Sequence, residues 1–372
     1  MHKGSSSGFN ASLNGYRGFC ALLVFFFHSG NAGVISTVEL GGVTDYLATS
    51  LRYGVEMFFM ISGYVIVGSL QRHASISEFL MERIIRIYSP WVPALVSVSV
   101  ICAVFHAKMF AHVSASEGLG LFLVNLLLLP PFVSTPLVHR GSWSLTYEWV
   151  FYLAAAIGAL LLRRPTRELR IGIWLLVCAG FVCMFPRATF FVTGVLVFLY
   201  GDWFERRRQW LRFPWLSMLL FLVAWRFTEV DEAALSITYL DFLRDYRWLA
   251  ALVAFIASLH MFASVAFHGS RQLAFLDSRA FQLIGNVSYS FYLWHTLVMS
   301  VVKRIVTPYV VPHVGLALGF CIFVAVSGVV SLALSWASWT LFEVHVAKAV
   351  HRFRTNLKPL QSSELRPSPE RS

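Results

Sequence analysis

Long apolar segments separated by short polar ones make up most of the chain. A helix that crosses a bilayer needs about 20 predominantly apolar residues, and ten segments approach that length. The ten predicted spans are residues 13–33, 53–71, 88–110, 143–162, 171–186, 188–204, 213–227, 247–267, 286–306 and 314–340. This pattern predicts an all-α membrane protein with ten transmembrane helices.

An eleventh apolar stretch, residues 119–133, is shorter and contains the pair Pro130-Pro131. Cytoplasmic loops of membrane proteins carry an excess of Lys and Arg. With a cytoplasmic N-terminus, the basic runs that follow the spans fall inside and the acidic segment 228–245 falls outside, provided that 119–133 begins and ends on one side. We therefore predict that 119–133 is re-entrant or interfacial and that both termini are cytoplasmic.

The composition excludes a soluble globular protein. Of the 372 residues, 57% are hydrophobic and 13% are charged, with a mean hydropathy of +0.66, whereas soluble domains are about 45–50% apolar and about 25% charged. The formal charge of +11 lies in short runs between apolar segments, so we expect the lipid bilayer, and no nucleic acid, as a partner. The five cysteines lack metal-ligand spacing, and we predict no metal site.

Residues 1–354 are predicted to form a single integral-membrane domain, because no polar stretch between the spans is long enough to fold as a second domain. Residues 355–372 are polar and contain several Pro and Ser residues, a composition typical of disordered chain. We predict that this segment is a disordered cytoplasmic tail.

The first span carries two ionisable residues on one face. Arg17 and His28 are eleven residues apart, which is about three turns at ~3.6 residues per turn. At ~1.5 Å per residue, His28 is expected about 16 Å from Arg17 and near mid-membrane, where a histidine can exchange a proton near neutral pH. The alternative is that His28 only forms a hydrogen bond that packs helices together.

The fourth span begins with a polar stripe. Ser144, Glu148 and Tyr152 are spaced i, i+4, i+8 and share one helix face. The topology places Glu148 one to two turns from the outer surface, where its carboxylate could accept a hydrogen bond from an acceptor hydroxyl or orient His28. A buried hydrogen bond with a structural role is the alternative.

The ninth span carries a second stripe, in which Ser288, Tyr292 and His295 are spaced i, i+4, i+7. Such a face is suited to contact with a polar substrate. An aromatic belt with an interfacial histidine would produce a similar pattern, and the residues alone do not decide between the two.

Two further groups of polar residues lie within the second span and after it. Glu56 shares a face with Gly63, beside Ser62, and is either a substrate contact or a solvated helix end. Arg83 and Arg86 are spaced i, i+3 at the predicted cytoplasmic boundary. This pair is able to bind phosphates, although the positive-inside bias also accounts for arginines there.

These residues form an ordered set of motifs. In chain order they are Asn14-Gly15-Tyr16-Arg17-Gly18 with ten residues between Arg17 and His28, Gly54-Val55-Glu56-Met57-Phe58-Phe59 with Ser62-Gly63-Tyr64, Arg83-Ile84-Ile85-Arg86-Ile87-Tyr88, Trp143-Ser144-Leu145-Thr146-Tyr147-Glu148-Trp149 with Phe151-Tyr152, and Ile284-Gly285-Asn286-Val287-Ser288-Tyr289-Ser290-Phe291-Tyr292-Leu293-Trp294-His295. Over about residues 13–350 the combination resembles the acyltransferase 3 family of membrane O-acyltransferases.

The resemblance implies a ten-helix, multi-pass protein of the bacterial inner (plasma) membrane. It implies transfer of an acyl group, commonly acetyl, from cytoplasmic acyl-CoA to a hydroxyl of a saccharide or a lipid-linked saccharide. Acetyl-CoA is then a co-substrate, and no permanently bound cofactor is expected. The chain departs from the family pattern at Asn14, where an acidic residue is usual, at Glu56, where aspartate is usual, and at Ser89, which precedes the expected proline.

The resemblance implies essential roles for Arg17, His28, Arg83 and Arg86, and the other site residues are predicted from their shared depth and helix face. His28 is the expected general base or transient acyl acceptor, Arg17 stabilises negative charge, and Glu148 assists them. Arg83 and Arg86 hold CoA phosphates. The acceptor side is expected to be lined by Glu56, Ser62, Tyr152, Ser288, Tyr292 and His295.

Other functions remain open at this point. A transporter or flippase for a lipid-linked sugar would use the same buried polar residues as a pathway. An O-acyltransferase could also act on a small molecule. If the reaction needs a second transfer step outside the cytoplasm, a separate extracytoplasmic partner is expected to supply it.

Overall fold

The fold is described from a computed structural model. It covers residues 11–34, 46, 48–73, 75–105, 113–130, 132–163, 168–229, 237–267, 271–346 and 348–349. Every regular element within these ranges is helical, so the all-α prediction is confirmed for the described part of the chain. The predicted tail, residues 355–372, lies outside the described residues.

The longer helices are, in chain order, α1 Ala11–Gly30, α2 Gly54–Arg72, α3 Ile76–Val104, α4 Ala115–Leu126, α5 Ser142–Leu162, α6 Glu168–Met184, α7 Thr189–Leu199, α8 Pro214–Arg226, α9 Arg247–Ala266, α10 Arg279–Tyr309 and α11 Leu316–Ser338. Shorter helical turns are Leu51–Tyr53, Pro186–Ala188, Gly201–Arg206, Arg208–Trp210, Tyr239–Arg244, Arg271–Asp277 and Val311–Val314. A π-helical turn, Trp339–Val344, follows α11.

Five helices are long and apolar enough to cross a membrane. They are Ala48–Arg72, Ile76–Val104, Ser142–Leu162, Arg247–Ala266 and Leu316–Val344. The other five predicted spans also contain helices, but α6, α7 and α8 are shorter than 18 residues, while α1 and α10 carry more polar residues. The described ranges are therefore all-helical and typical of a membrane protein, while the total of ten spans and the side of the termini stay predictions.

The stretch 119–133 is mostly occupied by α4, which has 12 residues. At ~1.5 Å per residue this helix is about 18 Å long, too short for a hydrocarbon core about 30 Å thick. The Asn125 side chain binds the chain that follows, since Nδ2 donates to the Pro136 carbonyl at 3.1 Å and Oδ1 accepts from the Val138 amide at 3.0 Å. The length agrees with the prediction of a segment that does not span.

Helix α3 begins twelve residues earlier than the predicted span 88–110. Ser75 caps the helix by accepting a hydrogen bond from the Glu78 amide at 3.1 Å, which satisfies an amide that the helix leaves unpaired. Pro90 and Pro93 lie inside the helix without ending it. Consequently Arg83 and Arg86 lie within a continuous helix and not in the loop before it.

Small residues bring helices into very close contact at two places. A Cβ at Gly285 of α10 would lie 2.1 Å from the Asn14 carbonyl oxygen of α1, and one at Gly194 of α7 would lie 2.0 Å from the Met60 oxygen of α2. Both distances are below any real Cβ contact, so these backbones touch only because glycine lacks a side chain. The close contact of α1 with α10 brings the polar faces of both helices together.

Asn14 contributes a polar contact to the same pair of helices. Its Nδ2 donates to the side-chain oxygens of Gln282 at 3.0 Å and Asn286 at 2.9 Å. An amide donates such hydrogen bonds whereas a carboxylate cannot. The asparagine that departs from the family pattern therefore joins α1 to α10.

Candidate active site

Two cavities lie along the faces of α1 and α10. The smaller, of about 60 Å³, receives residues from α1, α2, α3, α5 and α10. We call it the arginine cavity, and its polar lining is Arg17, Ser62, Arg86, Ser144, Glu148, Ser288, Tyr289 and Tyr292. The larger, of about 480 Å³, is called the histidine cavity, and its polar lining is His28, Asn31, Cys102, His139, Arg140, Thr296, Ser300, Lys303 and Arg304.

The cavities lie at different depths of the bundle. On α3, Arg86 lines the arginine cavity and Val98 the histidine cavity, and twelve residues correspond to about 18 Å of helix. On α1, Arg17 lines the arginine cavity and His28 lines the histidine cavity. Although Arg17 and His28 share a helix, each therefore lines its own cavity.

The helix that carries His28 ends earlier than the predicted span 13–33. His28 lies in the last turn of α1, two residues before the helix ends at Gly30. It packs against His295, which lies near the middle of α10. The depth of His28 in a membrane stays a prediction.

Glu148 interacts with several polar residues in and beside the arginine cavity. Its Oε1 accepts hydrogen bonds from Ser62 Oγ at 2.8 Å and from the Tyr152 hydroxyl. The positive charges of Arg17 and Arg86 interact with this carboxylate. Four other predicted site residues, Ser62, Tyr152, Arg17 and Arg86, therefore interact with Glu148. They come from α2, α5, α1 and α3.

Glu343 is a site residue that the sequence patterns did not reveal. It accepts a hydrogen bond from Ser290 Oγ at 2.7 Å, and its charge interacts with those of Arg17 and Arg86. It lies in the π-helical turn Trp339–Val344, and such turns are frequent at functional sites. The signal available in the sequence was an isolated carboxylate beside the last apolar segment, just beyond the predicted span.

The two predicted histidines meet in the bundle. The rings of His28 and His295 have centroids 5.2 Å apart. His295 is 1% exposed, and its Nδ1 lies 3.0 Å from the Phe291 carbonyl oxygen. A carbonyl only accepts, so Nδ1 carries a hydrogen, and Nε2 has no hydrogen-bond partner in the described part of the chain.

His139 is a second residue that the patterns missed. Its Nε2 donates to the Leu293 carbonyl at 2.7 Å, and its Nδ1 accepts from the Gly141 amide at 3.1 Å. These contacts require one protonated and one unprotonated nitrogen, so the ring is neutral. The available signal was the pair His139-Arg140 immediately before the fourth apolar segment.

A layer of hydroxyl groups lies between the cavities. The Tyr292 hydroxyl is 2.9 Å from Ser144 Oγ and donates to the Gly141 carbonyl at 3.1 Å. The Tyr292 ring lies 6.0 Å from that of His295. Tyr292, which lines the arginine cavity together with Glu148, therefore also lies close to the histidine pair.

Arg83 and Arg86 have different surroundings although they are only three residues apart. Arg83 is 5% exposed, donates to Ser69 Oγ at 3.2 Å and lies between the rings of Phe79 and Tyr152. Arg86 is exposed and lines the arginine cavity. The geometry makes Arg86 available to a ligand, whereas Arg83 joins α2, α3 and α5.

Glu56 lines neither cavity and is not a solvated helix end. It is fully buried, and its Oε1 lies 3.3 Å from Arg187 Nη1 and 3.3 Å from Trp225 Nε1. Arg187 in turn lies over the Trp143 ring, 4.5 Å from its centroid. These contacts give Glu56 a place in the packing of α2, α8 and the turn before α7.

The Glu56→Ala variant is expected to lose about 3–5 kcal/mol of unfolding free energy, because it removes the carboxylate partner of a buried arginine. Glu56→Gln should lose less, since its amide oxygen still accepts from Trp225. Thermal and denaturant unfolding of the purified variants in detergent measures both losses. A fully stable Glu56→Ala variant that has lost activity would instead assign Glu56 to substrate binding.

Comparisons with known proteins identify the family of the chain. The family described as "Acyltransferase domain" matches residues 10–339. The chain is 29% identical over 163 residues to "Acyltransferase MdmB" of Streptomyces mycarofaciens, a match that spans 42% of this chain and 41% of that relative. No solved structure matches the chain significantly. Because the family match covers most of the chain, this protein belongs to the acyltransferase 3 family.

Proposed function

We propose that the protein transfers an acyl group, most simply acetyl, from cytoplasmic acyl-CoA to a hydroxyl of a saccharide or lipid-linked saccharide. The observation that carries the proposal is the row of polar residues that links the two cavities. The arginines and Glu148 line the arginine cavity together with Ser144 and Tyr292, the Tyr292 ring lies 6.0 Å from that of His295, and His295 contacts His28. This arrangement would allow a donor and an acceptor to approach from opposite sides of the bundle.

Arg86 is suited to bind the phosphates of acyl-CoA, because it is the exposed arginine of the arginine cavity. Guanidinium groups bind phosphates with charge-assisted hydrogen bonds. Arg17, which lines the same cavity, is suited to hold negative charge on CoA, whereas the thioester carbonyl must reach the histidine cavity for attack at His28. Both positive charges are balanced by Glu148 and Glu343.

His28 acts as the general base in this proposal. It takes the proton of the acceptor hydroxyl, the oxygen attacks the thioester carbonyl carbon, and the carbon–sulfur bond breaks. The thiolate of CoA then receives the proton. His295, 5.2 Å from His28 between ring centroids, would orient the base or share the proton.

The test is acyl transfer by the purified protein in lipid vesicles, with labelled acetyl-CoA and a panel of saccharide and lipid-linked saccharide acceptors. Formation of a labelled ester, identified by mass spectrometry, is the expected result. Movement of a lipid-linked sugar across the vesicle without ester formation would favour a flippase. Esterification of small hydroxyl compounds alone would reject the saccharide acceptor.

Arg86→Gln is expected to raise the KM for acetyl-CoA by roughly 10- to 100-fold, because a charged hydrogen bond contributes about 1.5–3 kcal/mol. The KM for the acceptor should change little. Arg279→Gln, at an exposed position of α10 outside both cavities, is the matched control. Equal KM values for Arg86→Gln and the wild-type protein would place the CoA phosphates elsewhere.

A further inference from the structure

The histidine cavity has a strongly basic lining. Arg140, Lys303 and Arg304 line it, and the cavity-lining residues that the structure describes include no carboxylate. Within the described ranges, none of the three forms an ion pair at 4.0 Å or less. Their charges are therefore available to a ligand.

Two of these charges are placed against defined parts of the cavity wall. The Lys303 ammonium lies beside Gly33, 3.1 Å from the position that a Cβ would take there. Gly33 follows the end of α1, which is the end that carries His28. The Arg304 guanidinium lies 5.8 Å from the centroid of the Phe105 ring.

The positive-inside rule does not explain these basic residues under the predicted topology. If the N-terminus is cytoplasmic, the end of α1 that carries His28 faces outward, and the histidine cavity lies at the outer end of the bundle. Basic residues are enriched on the inside and not on the outside. Three basic residues around one outer cavity therefore call for a functional explanation.

The size of the cavity matches a small polar acceptor. Its volume of about 480 Å³ lies within the range of roughly 300–1,000 Å³ that is usual for ligand pockets. Along α10, Lys303 follows His295 by eight residues, or about 12 Å at ~1.5 Å per residue. This separation leaves room for a sugar ring between the histidine pair and the basic residues.

We propose that the histidine cavity binds an acceptor that carries a negative charge, a phosphate or a carboxylate, which contacts Arg140, Lys303 and Arg304 while its hydroxyl lies at His28. This inference rests on the proposed function for the hydroxyl at His28, but the anion-binding subsite is testable without turnover. A lipid headgroup could present the same chemistry, and the experiment separates the two sources.

The experiment measures binding to the purified full chain in vesicles of zwitterionic lipid. Glucose 1-phosphate, glucuronate and the neutral methyl glucoside are titrated, and the shift in thermal unfolding midpoint gives an apparent Kd for each. The two anionic probes should raise the midpoint, and methyl glucoside should not. In the Lys303→Gln/Arg304→Gln variant, the apparent Kd of both anionic probes should rise about tenfold or more.

Two controls locate the effect. Arg244→Gln, in the outer turn Tyr239–Arg244 and paired there with Asp241, should leave binding unchanged. The apparent Kd in Arg86→Gln shows whether the arginine cavity takes the probes, and a rise there equal to that in the double variant would overturn the histidine-cavity subsite.

Several results would overturn the subsite. They are the absence of any shift with the anionic probes, an equal shift with methyl glucoside, or persistence of the anionic shift in the double variant. Loss of the shift when vesicles contain anionic lipid would assign the subsite to a headgroup and not to the acceptor. Anion binding without any ester formation would leave the subsite standing and reject only the proposed acyl transfer.

Discussion

Replacing His28 by alanine is expected to reduce acyl transfer about 10²- to 10⁴-fold, the usual contribution of a positioned general base. His28 lines the larger cavity and lies against His295, with ring centroids 5.2 Å apart. The variant should still insert and fold, because His28 lies in the last turn of α1 and not in its contact with α10 at Gly285. Initial rates with saturating acetyl-CoA measure the loss.

His313→Ala is the matched control for this variant. His313 is exposed in the turn Val311–Val314 and lines neither cavity, so its removal should leave the rate unchanged. Full activity of His28→Ala, at unchanged thermal stability, would remove His28 from the mechanism. His295 would then be the remaining predicted histidine to test as a base.

Replacing Gly285 by alanine is expected to destabilise the protein by at least about 1–3 kcal/mol, the usual cost of overpacking. The added Cβ would lie 2.1 Å from the Asn14 carbonyl oxygen, and a backbone atom cannot turn away as a side chain can. Helices α1 and α10 must then separate, which would also move His28 away from His295. Thermal unfolding and acyl transfer should therefore both decline.

The control for the glycine variant is Gly180→Ala. Gly180 lies in α6, and a Cβ there meets no atom within 4 Å, so alanine should be neutral or slightly stabilising in the helix. A Gly285→Ala protein with the stability of Gly180→Ala would show that α1 and α10 do not need this close contact.

Much of the fold could be predicted because a membrane helix is recognised locally. A run of apolar residues is sufficient to favour the bilayer, whatever the rest of the chain does. Each of the ten predicted spans contains a helix, and five meet the criteria of length and apolarity. The start of α3 was placed too late because its first turns are polar and are held by the Ser75 cap.

The candidate site could be predicted only in part. Helical spacing correctly grouped Glu148 with Tyr152, which share a hydrogen bond. It also grouped Ser144 with Glu148, and both line the arginine cavity. Spacing within one helix cannot show which residues of other helices lie opposite. The contact of Ser62 with Glu148, and the contributions of His139 and Glu343, therefore became visible only in the packed bundle.

Spacing also could not separate residues that share a face or a motif. Arg17 and His28 share one face of α1, yet they line different cavities because the helices opposite α1 differ along its length. Arg83 and Arg86 are one turn apart, yet Arg83 lies against the rings of Phe79 and Tyr152 while Arg86 lines the arginine cavity.

The apolar runs, the distribution of basic residues and the ordered motifs by themselves predicted a helical membrane protein that resembles the acyltransferase 3 family, because each of these is read from the order of residues along the chain. The tertiary structure alone decided that Glu56 pairs with Arg187, that His28 meets His295, and that the polar residues form two cavities. Those outcomes depend on which helix faces meet, and at Gly285 and Gly194 the absence of a side chain allows the backbones to touch.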